Sequence, residues 1–64
     1  MNENQAERSS KISSLMMMIS QQLEKEEAPK KHDWILWCMD KFNTSQRTAR
    51  EYVTLAFMRM KLNG

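Results

Sequence analysis

Apolar residues recur along this chain at three- and four-residue intervals in three separate stretches. In the first, Ile12, Leu15, Met16, Ile19 and Leu23 fall on one face of a helix. In the second, Ile35, Cys38, Met39 and Phe42 make an inward stripe, with Trp34 and Trp37 on a neighbouring face beside Lys41. In the third, Ala49, Tyr52, Val53, Ala56, Phe57 and Met60 repeat the helical spacing. Three amphipathic helices are therefore predicted.

Their ends are read from capping and breaking residues. Residues 1–8 are polar, and a disordered N-terminal tail is expected there. Ser9 or Ser10 can cap the first helix, which should run to about Glu27, because Ala28 precedes Pro29 and is steered away from helical geometry. The second helix is expected over about Lys31 to Phe42, with Asp33 in its first turn, where a negative charge suits the helix dipole. Asn43-Thr44-Ser45 is a short break. Asn43 tolerates the left-handed conformation that helix C-termini use, and Thr44 or Ser45 can cap a third helix. That helix meets no breaker before Asn63-Gly64, so about 18 residues, roughly 27 Å, are predicted. Residues 9–64 then form a single tri-helical domain.

Composition narrows the fold class. With one Gly and one Pro among 64 residues, the turns of a small sandwich or barrel cannot be made. An all-α three-helix bundle is the expectation. A chain this short buries only about 60% of its unfolded surface, so its core benefits from a staple or a partner. Cys38 is the one cysteine and His32 the one histidine, so neither a disulfide nor a four-ligand zinc site can form within the chain. No metal or other cofactor is expected. Cys38 and His32 lie six residues apart, off one helical face, so no catalytic pair is read from them. Cys38 is better read as a small buried apolar residue. The longest apolar run is Leu15-Met16-Met17-Met18-Ile19, far short of the roughly 20 residues that span a membrane. The polar start, Met1-Asn2-Glu3-Asn4-Gln5, lacks the pattern of a signal peptide. A cytoplasmic setting is expected, and a lone thiol suits a reducing compartment.

Charge is divided unevenly. Residues 1–29 carry three basic against five acidic side chains, and residues 30–64 carry seven against three. The C-terminal half is the better candidate for meeting a polyanion. Its arrangement is specific: two helices joined by about three residues, the second opening Ser45-Gln46-Arg47-Thr48-Ala49-Arg50-Glu51-Tyr52. Trp34 to Tyr52 resembles a helix-turn-helix, with Cys38, Phe42, Ala49 and Tyr52 at the motif's internal apolar positions and Asn43 where a Gly is usual. The run from Ser45 looks like the start of the recognition helix in winged-helix and related prokaryotic or viral regulators. The chain ends where a β-hairpin wing would begin, so a wingless, winged-helix-derived form is expected. The resemblance implies binding of double-stranded DNA and regulation of transcription, with Gln46, Arg47 and Arg50 at base-contacting positions and Ser45 and Thr48 at phosphate-contacting or capping ones.

The physics of such a helix start stands apart from the family. A helix N-terminus directs unpaired N–H groups and the positive end of its dipole at phosphate. Arg can read guanine and Gln adenine by paired hydrogen bonds in the major groove. Lys30, Lys31 and Lys41 could approach the backbone from the second helix. The spacing leaves a plainer alternative open: Arg47 and Glu51, four apart, can pair on a solvated face. Trp34 and Trp37 read as packing residues before they read as stacking platforms for single-stranded bases.

The methionines raise a second class of function. Met16, Met17 and Met18 are consecutive and cannot share one core. Leu55, Met58 and Leu62 form a further apolar stripe on the third helix. Met16, Met17, Leu55, Met58 and Leu62 are thus a candidate interface, for a homodimer or a protein partner. The alternative to DNA binding is a small helical subunit that docks on a larger complex through these faces.

Overall fold

The computed structural model describes residues 5–62 of the chain. Three helices occupy nearly all of it: α1 (Gln5–Glu24), α2 (Lys31–Phe42) and α3 (Gln46–Arg59). No strand is present among the described residues, and the all-α three-helix bundle stands as expected. The bundle measures 39 × 19 × 17 Å.

α3 is the central element, packed against both α1 and α2. Its buried residues are Ala49, Tyr52, Val53, Ala56 and Phe57, met by Ile12, Leu15 and Ile19 from α1 and Ile35 and Cys38 from α2. Ala49 and Ala56 expose no surface. With only a methyl each, they let the neighbouring helices come close to the α3 backbone, while Tyr52 and Phe57 fill the volume between. Trp34, Trp37, Met39, Phe42 and Met60 are half-buried against this core. An edge-on run of rings continues it, with centroids 5.4 Å apart for Trp34–Trp37, 5.6 Å for Trp37–Phe42 and 6.2 Å for Phe42–Tyr52. The tryptophans are packing residues. Trp34 also donates its indole N–H to Gln22 Oε1 at 2.9 Å, tying α2 to α1.

The turn between α2 and α3 is as read from the sequence. α2 has the predicted bounds, Asn43 is left-handed at φ 50°, and α3 begins three residues later on a Ser45 cap. The other helix ends differ. Residues 5–8 of the predicted tail are helical, and residues 1–4 lie outside the described residues. Ser9 and Ser10 therefore sit inside α1 and cap nothing at its start. α1 also stops at Glu24 instead of Glu27. Glu26 turns left-handed at φ 61°, and its N–H bonds Leu23 O at 2.9 Å while the Glu27 N–H bonds Gln22 O at 3.3 Å. This is a Schellman closure, and it ends the helix before Pro29 acts.

α3 ends the same way. Lys61 is left-handed at φ 57°, with its N–H bonded to Met58 O at 3.1 Å and the Leu62 N–H to Phe57 O at 2.8 Å. The helix is therefore 14 residues long, shorter than predicted. The closure folds Leu62 back onto the core. Glycine is the usual residue at such positions, and this chain uses Glu, Asn and Lys.

Candidate functional site

The head of α3 is built by Ser45. Extended at φ −71° and ψ 161°, it turns its Oγ back to accept the Thr48 N–H at 3.3 Å. The two hydroxyls also bond each other at 3.2 Å. Ser45 and Thr48 are thus engaged in capping. The cap sets Ala49 inward and leaves Gln46, Arg47 and Arg50 exposed. These three side chains line one open hollow of about 220 Å³.

The alternative pairing of Arg47 with Glu51 is not formed. Glu51 instead reaches across to α1, where its Oε2 lies 3.7 Å from Arg8 Nη2. Arg8 also stands over the Tyr52 ring, 5.9 Å from its centroid, a distance at which a cation is attracted to the ring face. Among the described residues, Arg47 and Arg50 have no ion-pair partner. Sequence reasoning missed Arg8, because its polar surroundings read as a tail and because its partner lies 43 positions away in the chain. No local spacing signals such a contact.

The predicted lysines are dispersed. Lys41 is exposed in the last turn of α2, near the turn that leads into α3. Lys30 and Lys31 lie at the opposite end of that helix, and Lys31 Nζ rests 5.9 Å from the Phe57 ring centroid. None of the three lines the hollow at the head of α3.

Two further hollows follow, the second sharing Arg50 with the first and the third sharing Arg8 and Leu55 with the second. One, of about 340 Å³, is lined by Arg8, Arg50, Glu51, Thr54 and Leu55. The next, of about 280 Å³, lies between α1 and α3 and is lined by Gln5, Arg8, Ser9, Ile12, Leu55 and Arg59. No sequence signal marks Arg59 as a member of this group.

The candidate interface is split. Met16, Leu55 and Leu62 pack against the core and are not free apolar surface. Met17 and Met58 stand out at 64% and 68% exposure, and Leu36, which the sequence does not single out, at 52%.

The chemistry available elsewhere is limited. Cys38 is fully buried, and desolvation pushes its thiol up to about 11, so at neutral pH it is protonated. His32 is exposed. No group of three metal-ligating side chains occurs among the described residues, and none of the described helices is long and apolar enough to cross a membrane. Searches of protein-family models, curated proteins and solved structures find no match to this chain.

Proposed function

We propose that this chain binds double-stranded DNA through the head of α3 and acts as a small regulator of transcription. The observation that carries this reading is the grouping of Gln46, Arg47 and Arg50 around one exposed hollow at a capped helix start, with Glu51, the carboxylate next to Arg50 in the sequence, drawn off to Arg8. In that role α3 enters the major groove. Arg47 and Arg50 offer paired donors to guanine, and Gln46 offers the donor–acceptor pair that matches adenine. Ser45 and Thr48 hold the helix start, where the backbone N–H groups and the dipole favour phosphate. Lys41 adds a backbone contact from α2, while Lys30 and Lys31 stand at the other end of that helix from the head of α3. A second copy would place two such helices about one DNA turn, roughly 34 Å, apart. The cytoplasm is the compartment we assign to such a regulator, in keeping with the reduced Cys38.

The test is fluorescence anisotropy on a random-sequence duplex at about 50 and 200 mM salt, with Arg50→Ala alongside. Micromolar binding that weakens steeply with salt, and weakens further in the variant, supports the reading. Absence of binding at low salt refutes it. Exposed Met17, Met58 and Leu36 favour one second reading, a helical subunit that docks on a protein partner. That reading gains if duplex binding is absent and Met58→Ser abolishes self-association or capture by a defined partner.

A further inference from the structure

The three hollows along α3 share their walls. Arg50 lines the first and second, and Arg8 and Leu55 line the second and third. Together they set four guanidinium groups in sequence: Arg47, Arg50, Arg8 and Arg59. Arg47 and Arg59 are twelve positions apart on α3, a rise of about 18 Å. The single carboxylate among the lining residues, Glu51, is already held by Arg8 at 3.7 Å. Arg59 is exposed and has no ion-pair partner among the described residues. Beneath Arg8 and Arg59 the floor is apolar, formed by Ile12 and Leu55.

The spread of the arginines decides the kind of ligand. A small dianion needs cations converging on one point, and these are spread over the length of α3 and around its exposed side, Arg59 standing half a turn from Arg50. A duplex carries one charge per about 1.7 Å of its axis, so a dispersed set of guanidinium groups can each meet a phosphate. A helix with its side chains is about 10–12 Å wide, matching a major groove of about 12 Å.

Resting on the DNA reading above, we infer that the DNA surface continues past the head of α3 into the α1–α3 groove, where Arg8 and Arg59 hold backbone phosphates. α1 is then both a packing element and one wall of the binding surface. Arg8 occupies Glu51, so this carboxylate does not repel a phosphate, and the remaining N–H groups of its guanidinium are free to donate to one. Contacts of this kind set affinity and salt dependence and leave base choice to Gln46, Arg47 and Arg50.

The experiment measures anisotropy against a duplex from about 50 to 200 mM salt for the parent chain, Arg59→Gln, Arg8→Gln with Arg59→Gln, and Lys30→Gln. Circular dichroism checks that each is folded. Removing one phosphate contact should reduce the fall in affinity over this salt range by about 3.5-fold, and removing two by about 12-fold. Arg59→Gln is expected to show the first change and the double variant the second, with relative affinities for different sequences unchanged. Lys30→Gln should match the parent. Because Arg59 has no ion-pair partner among the described residues, its variant stays informative even if Arg8→Gln weakens the fold. A parent that binds duplex while Arg59→Gln keeps the parent's salt slope overturns the inference and leaves the DNA reading intact. So does a slope lowered by Lys30→Gln instead. A parent that does not bind duplex, or that binds polyglutamate equally well with the same dependence on Arg59, overturns both.

Discussion

Three non-glycine residues hold left-handed backbone where helices close, and two of them, Glu26 and Lys61, lack the short polar side chain that eases that geometry. For an L-residue the left-handed region costs about 1–2 kcal/mol relative to the right-handed one. Glycine removes that cost but is more flexible when unfolded, which returns about 0.5–1 kcal/mol. Glu26→Gly and Lys61→Gly should therefore each stabilise the fold by about 0.5–1 kcal/mol. In a domain this small, that raises Tm by about 3–6 °C. The assay is thermal and urea unfolding followed by circular dichroism, with Asn43→Gly and Glu24→Gly as companions. Asn43→Gly should gain less, since Asn accommodates the left-handed region. Glu24 is the exposed last residue of α1, so Glu24→Gly should destabilise by about 0.5–1 kcal/mol. If Glu26→Gly destabilises the fold as much as Glu24→Gly does, residue 26 is not left-handed in solution and the reasoning fails.

Other perturbations test the core. Tyr52, at 1% exposure, should cost about 3–5 kcal/mol on truncation to Ala. Phe42→Ala should cost clearly less, because Phe42 is only half-buried; equal losses in urea unfolding would contradict the packing at the turn. Cys38 supplies a pH dependence. Its folded thiol is raised from 9.0 to about 11 by burial, so the fold favours the protonated form. That contribution is complete below pH 9 and lost as pH rises from 9 to 11, at about 1.4 kcal/mol per unit. Cys38→Ala should remove this part of the alkaline decline. In the native state the thiol should react with a thiol reagent at the rate of unfolding; fast, stoichiometric labelling at pH 8 would contradict its burial.

How far the sequence could be read depended on where the signals were local. The left-handed Asn43 that closes α2 and the Ser45 cap each rest on a residue whose side chain declares its role within three or four positions, and Pro29 marks the approach to α2. Glu26 and Lys61 declare nothing, since neither residue type is a helix stop. Their closures are set by how the chain must reverse over the core, and the predicted first and third helices consequently ended too late. The candidate site divides along the same line. Gln46, Arg47 and Arg50 were legible from the cap and the helical spacing. Arg8 and Arg59 were not, because their grouping depends on α1 lying along α3. Glu51 illustrates the limit: its choice of Arg8 over Arg47 is a tertiary decision between two partners that spacing alone cannot rank.

The central position of α3 has a consequence for amide hydrogen exchange. Half of the buried residues among those described, five of ten, belong to this one helix. Its backbone amides from Tyr52 to Phe57 should exchange only when the whole domain opens, while those of the exposed closure around Lys25 and Glu26 exchange by local opening. The helix assigned to contact DNA would then be the slowest-exchanging part of the molecule, offering a rigid surface that a ligand need not order.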